Sequence, residues 1–348
     1  MKNRFYLIIA CLLVVCAAFT SCKNTNEPVA SQTDVVILDM DLGSSTDDLV
    51  TFDLALKLHD SGKIKLLGVI CDRMGELHAQ TADIYCTYYN HPEMPIGLER
   101  AGVDSPLVYT NYSPFLDTLT DGNGNLMFKR SITDYSQLPD GYKLYRKLLA
   151  SADDNSVNII SCGFVTCLSR LLTSGADEYS SLGGAELVRQ KVKCLYIQGG
   201  YFTEEYDGEP NYNFLQAEEF TKTFFDNWPT ETPIIFNSME AGNNINYEQD
   251  SLIKDMSWTD IHPTKQIYMG IFVDGFGQRM WDVLGLFCLE DPSLFHLSEP
   301  GTVTLDAYCA SVFTPSADGK HRYIKSFTEA EEAQMLERIR ERVRNLNK

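Results

Sequence analysis

The chain has 348 residues, 44% of them hydrophobic and 22% charged, with 23 Gly and 13 Pro, proportions that exclude collagen-like, low-complexity and coiled-coil architectures. Acidic residues outnumber basic ones 48 to 29, a formal charge of −19 that repels a phosphate backbone and sets nucleic acid aside as a partner. Small neutral or cationic ligands and metal ions remain compatible with this charge.

Lys2 and Arg4 precede an apolar run, Tyr6 to Phe19, the basic-then-apolar pattern of a signal peptide and too short for a comfortable membrane span. Phe19-Thr20-Ser21-Cys22 then leads into a polar stretch. This tail resembles a bacterial lipobox, with a plain signal peptide or an anchor helix as the alternatives. The expectation is a lipoprotein signal over residues 1–21, lipidation at Cys22, a flexible tether over 22–33 and one folded domain over 34–348. It implies an exported protein, lipid-anchored to a bacterial membrane at the periplasmic face or the cell surface. Beyond Cys11, Cys16 and Cys22, the seven remaining cysteines are Cys71, Cys86, Cys162, Cys167, Cys194, Cys288 and Cys309. Their number is odd, most lie in apolar runs, and Cys162 and Cys167 lack zinc-ligand spacing, so buried free thiols are expected.

Short apolar runs at 34–40, 65–72, 157–163, 192–199 and 233–237 read as buried strands. Helical periodicity fits 46–59, 77–89, 142–152, 165–172, 217–226, 277–289 and the charged 328–347. The turn-rich segment 102–137 reads as a long loop or lid. No repeat or linker divides the chain. The alternation predicts a single α/β domain, a mainly parallel central sheet with helices on both faces. Such sheets bind ligands at the carboxyl ends of their strands.

The first strand ends in a run of acids: Asp39, Asp41, then Gly43, then Asp47 and Asp48 opening the next helix. Asp39 and Asp41, two apart, share one side of an extended strand. Helix capping accounts for acids in a first turn but not for the pair at the strand end. Carboxylates gathered this closely raise one another's pKa unless a cation sits among them, and hard oxygen donors suit Ca²⁺ or Mg²⁺ rather than zinc.

This stretch resembles the N-terminal signature of the nucleoside hydrolase family (inosine-uridine preferring), Asp-x-Asp-x-Gly followed by Asp-Asp, in a longer-loop variant. Gly163-Phe-Val-Thr166 resembles that family's Gly-Pro-Leu-Thr turn, and Met280-Trp281-Asp282 its late Asp element opening a helix. Gln198-Gly-Gly200 and Asn211-Tyr-Asn213-Phe resemble its substrate-binding strand end and loop. The resemblance spans about residues 34–290 and implies a nucleoside hydrolase-like, Rossmann-like core. It implies that Asp41, Asp48, the Thr166 carbonyl and Asp282 bind Ca²⁺, and that Asp41 takes a proton from the water that cleaves the N-glycosidic bond of a ribonucleoside. Asp47 and Asn213 would bind ribose hydroxyls, and Asp39 would support the metal shell from behind. A homo-oligomer, dimer or tetramer, is expected on the same ground.

The chain departs from that pattern. Ser45 stands where an Asp is common, Asn211 where many members carry Glu, with Glu209 as a substitute, and Asp72-Arg73-Met74 where an Asn-rich turn usually lies. Trp281 replaces the His that protonates the leaving base in some members; it reads as a base-stacking or a core residue. Glu240, after a strand, reads as a pocket acid or a solvated loop acid. Tyr201, Phe202 and Tyr206 read as a lid or as a plain surface loop. The six histidines (59, 78, 91, 262, 296 and 321) read as surface or capping residues. Two rivals remain: a non-catalytic riboside- or sugar-binding surface lipoprotein, and a haloacid-dehalogenase-like phosphatase with Ser161 in its second motif.

Overall fold

Strand β1 (Asp34–Met40) runs through the middle of the sheet, and every other strand is placed by its distance from it. The computed structural model describes residues 33–103, 111–273 and 275–345. The expected signal segment, Cys22 and the tether as far as residue 32 fall outside the described residues, as do 104–110 of the expected long loop. The other strands are β2 (Ile64–Arg73), β3 (Ile96–Val103), β4 (Val157–Ser161), β5 (Val192–Gln198), β6 (Ile234–Asn237), β7 (Asn246–Glu248), β8 (Gly277–Arg279), β9 (Gly301–Leu305), β10 (Ser311–Pro315) and β11 (His321–Tyr323). The main sheet has the order β10-β9-β11-β6-β5-β4-β1-β2-β3, while β7 and β8 form a small antiparallel pair. From β3 across to β11 every pairing is parallel; β9 is antiparallel to both β10 and β11.

This is a single α/β domain with helices on both faces of a mostly parallel sheet. Period-2 alternation in β1 explains the layers. Val36, Leu38 and Met40 enter a core shared with the helices Asp47–Asp60, Val283–Glu290 and Glu329–Arg344. Ile37 enters the opposite core, built with the helices Gly141–Ser151 and Thr166–Thr173. The seven described cysteines are all free and buried.

Two expectations are corrected. The expected helix over 277–289 is a strand, β8, held by pairing with β7, and the helix starts only at Val283. The expected loop from 102 onward begins inside β3 and contains a short helix, Ser113–Thr118. Beyond β6, β11 continues the parallel pairing, and β9 and β10 add antiparallel strands at that edge of the sheet.

Strand order reverses between β1 and β4. The chain passes from β1 outward through β2 and β3, then crosses back to β4 on the other side of β1. Adjacent crossovers leave on opposite faces at that point, and the crevice outside the strand ends is where doubly wound sheets bind ligands.

Candidate active site

A cavity of about 200 Å³ opens at that reversal, lined in part by Asp41, Asp47, Asp48, Arg73, Cys162, Gln198, Asn211, Asn213, Trp281 and Asp282. Its walls come from the ends of β1, β2, β4 and β5, the helix Tyr212–Gln216 and the turn before Val283.

Asp41 follows β1 directly. Gly163, just beyond β4, makes this approach possible: a Cβ there would stand 2.5 Å from the Asp41 Cβ. Arg73, the last residue of β2, donates from Nη2 to Asp41 Oδ2 at 2.9 Å and from Nε to the Asp41 carbonyl at 3.1 Å. The guanidinium also lies over the Phe164 ring, 5.1 Å from its centroid.

Asp48 is 1% exposed, and neither of its carboxylate oxygens has a hydrogen-bond partner among the described residues. Oxygens of Asp48 and Asp282 and the Cys162 thiol lie within 4.8 Å of one another, a group able to hold a metal ion. Burial, followed by the charges of neighbouring aspartates, pushes the carboxyls of Asp48 and Asp282 far above the usual range. Burial likewise keeps the Cys162 thiol protonated. A buried carboxylate without a partner costs several kcal/mol of desolvation, so this arrangement requires a proton or a cation.

Asp47 is used by the chain itself. Its Oδ1 accepts from the Ser45 hydroxyl and from Gln278 Nε2 at 3.3 Å; its Oδ2 accepts from the backbone N–H groups of Trp281 at 3.2 Å and Asp282 at 3.3 Å. Burial still lifts its pKa to about 6. Asp47 lines the cavity, and its hydrogen bonds fix the turn that presents Asp282. Asp39 lies outside the cavity lining, its Oδ2 accepting from the Tyr145 hydroxyl at 2.6 Å, with its pKa lifted by burial to about 7. Burial, followed by the charge of Asp39, also pushes its neighbour Asp72 well above the usual carboxylate range.

Asn213 donates to Gln198 Oε1 at 2.8 Å and to the Cys162 carbonyl at 3.2 Å, leaving its amide oxygen as the acceptor it can offer a ligand. Asn211 caps the helix Tyr212–Gln216 by accepting from the Phe214 N–H at 3.2 Å; its Nδ2 is buried without a partner among the described residues. Trp281 lines the cavity with its indole N–H donating to the Met239 carbonyl at 3.2 Å and Asn243 Oδ1 at 3.1 Å, which fixes the ring plane.

Several sequence expectations are revised. Thr166 lies outside the cavity lining: it opens the helix Thr166–Thr173, and its hydroxyl donates to the Asp72 carbonyl at 2.7 Å. Cys162, one residue past β4, occupies that side of the cluster instead. Glu240 lies outside the lining too; its Oε1 accepts from the backbone N–H groups of Phe202 and of Thr203 (2.8 Å for the latter) and so anchors their loop. Glu209 is exposed and also outside the lining. Tyr201 stacks on Tyr206 and Phe202 on Tyr323, at 4.8 and 4.5 Å between centroids, outside the cavity. Ser161 is buried in register with Asp39 and does not line the cavity. His262 is fully buried and caps the helix Pro263–Gly270, while His78 is buried beside Gly43 and is neither surface nor cap.

Sequence reading missed Arg73, Cys162 and Gln278 as members of the site. For Cys162 a signal existed: it is the residue before Gly163, at the end of an apolar strand run.

The fold is like that of solved nucleoside hydrolases. The inosine-uridine preferring nucleoside hydrolase of Bacillus anthracis superimposes with a TM-score of 0.64 at 17% identity, over 88% of this chain and 99% of that one. The purine-preferring ribonucleoside hydrolase of Gardnerella vaginalis gives 0.62 at 12% identity, over 89% and 99%. The type III effector XopQ, in a structure complexed with adenosine diphosphate ribose, gives 0.62 at 14%, over 91% and 95%. The sequence matches no family model and no curated protein.

Proposed function

We propose that the protein hydrolyses the N-glycosidic bond of ribonucleosides, releasing ribose and free base, with Ca²⁺ as its cofactor. The observation that carries this reading is the convergence of Asp41, Asp48 and Asp282 on one cavity at the strand reversal, with both Asp48 oxygens unpartnered among the described residues. The oxygen donors suit a hard divalent cation. Asp41, Asp48 and Asp282 would hold it, with Cys162 rather than Thr166 beside them. When bound, such an ion lowers the pKa of a water and fixes it beside the sugar.

The chain's own groups then have distinct tasks. Asp41 accepts the proton of the attacking water, and Arg73 holds the Asp41 carboxylate in orientation. Asp47 fixes the Trp281–Asp282 turn, and the Asn213 amide oxygen receives a ribose hydroxyl. The aspartate cluster favours the oxocarbenium-like charge that develops on the sugar, as in other glycoside cleavage. Trp281 offers a fixed aromatic face for a base.

The test is ribose release from a panel of purine and pyrimidine ribonucleosides, with Ca²⁺ and with a chelator. Chelator-sensitive release is expected. A folded protein that binds Ca²⁺ and releases nothing would favour a second reading, a riboside-binding protein, for which the Arg73–Asp41 ion pair and the Asn211 amide are the motivating observations. We propose further that the chain is exported, lipid-anchored through Cys22 and homo-oligomeric. Loss of acyl labelling in Cys22→Ala, and light scattering of the purified protein, test these points.

A further inference from the structure

Six buried carboxyl groups, Asp39, Asp41, Asp47, Asp48, Asp72 and Asp282, crowd the ends of β1 and β2 and the turn before Val283. Among the described residues, the only ion pair that any of them makes is Arg73 to Asp41. Arg73 is 2% exposed, lines the cavity and reaches Asp41 with two N–H groups. These two bonds differ in kind. The Nε bond goes to a main-chain carbonyl and fixes Arg73 to the loop. The Nη2 bond goes to the side-chain carboxylate, which lines the same cavity as Asp48 and Asp282.

We propose that Arg73 is an internal counter-ion that competes with the divalent cation for Asp41 and so sets the cation affinity of the site. This rests on the reading of the cluster as a cation site. The guanidinium neutralises Asp41 while the cluster is empty, and its pairing must weaken when the ion arrives. Two positive groups sharing one carboxylate in a buried site repel, and this repulsion is little screened. Anchoring by the Asp41 carbonyl and by the Phe164 face keeps Arg73 near even when the Oδ2 bond is given up. Removing the guanidinium charge therefore increases cation affinity, the reverse of what loss of a ligand does.

Calorimetric titration of the purified protein with Ca²⁺ alone tests this, comparing wild type with Arg73→Gln, Arg73→Lys and Asp48→Asn. Arg73→Gln is expected to bind Ca²⁺ at least about tenfold tighter, and Asp48→Asn at least about tenfold more weakly. Arg73→Lys keeps the charge but cannot bridge both Asp41 atoms as the planar fork does, so it is expected between wild type and Arg73→Gln. Equal or weaker binding by a folded Arg73→Gln, with wild type binding, overturns the proposal and leaves the cation site standing. Should Arg73→Gln not fold, identical affinities for Arg73→Lys and wild type overturn it. If none of the folded proteins binds Ca²⁺, the reading of the cluster as a cation site fails first, and this proposal with it.

Discussion

Gly163 and Asp41 are in such close contact that a methyl group on Gly163 would stand 2.7 Å from both the Asp41 backbone nitrogen and its Oδ1. Two strand ends, β1 and β4, are thereby brought together at the point where sheet order reverses. Gly163→Ala must displace the Asp41 loop, and displacements of about 1 Å at a reacting group can cost roughly 10²-fold in rate. We expect a fall of about that size in ribose release, with a loss of about 1–3 kcal/mol in unfolding free energy from overpacking. Urea denaturation alongside the rate assay separates the two effects.

Asp47 accepts four hydrogen bonds, from Ser45, Gln278, Trp281 and Asp282. An amide at this position turns an NH₂ group toward donors. Asp47→Asn is therefore expected to cost about 1–3 kcal/mol through unpaired buried groups. It also frees the Asp282 turn, so Ca²⁺ affinity should fall although Asp47 is not itself a ligand. Denaturation and calcium titration of the same variant check both parts.

Glu240 ties down the loop at Phe202 and Thr203 through one carboxylate oxygen. Glu240→Ala leaves two backbone N–H groups without their acceptor. Hydrogen exchange at residues 202–206 should rise by an order of magnitude or more, while exchange in β1 stays unchanged. Equal protection in wild type and variant would remove the anchoring role.

His321, in β11, accepts from the Val303 N–H at 2.9 Å through Nδ1, and burial lowers its pKa from 6.5 to about 4. Between these values the unfolded chain takes up a proton that the folded chain does not. Stability is therefore full above pH 6.5 and is lost as pH falls toward 4. The contribution is about 2 kcal/mol after allowing for partial solvent screening. Unfolding free energies at pH 7 and pH 4.5 should differ less in His321→Gln than in wild type.

Much of this architecture is legible from local pattern. Parallel strands buried on both faces are continuous apolar runs, so β1, β2, β4, β5 and β6 stand out, and the acids after β1 are conspicuous because strand ends seldom carry so many. Strand β3, half polar in Ile96–Val103, and the short β9, β10 and β11 at the other end of the sheet lack such a signal. Strand β8 exists because β7 pairs with it, a contact no periodicity encodes. The place of Cys162 beside Asp48 and Asp282, and the Arg73–Asp41 pair of residues 32 positions apart, come from the register of adjacent strands.

The most direct test of the account compares ribose release by wild type and Asp41→Asn on the best nucleoside of the panel, both folded and both saturated with Ca²⁺. Loss of the proton acceptor is expected to lower the rate by roughly 10²–10⁴-fold. An Asp41→Asn protein that releases ribose at the wild-type rate would contradict the assignment of this cluster as the catalytic centre.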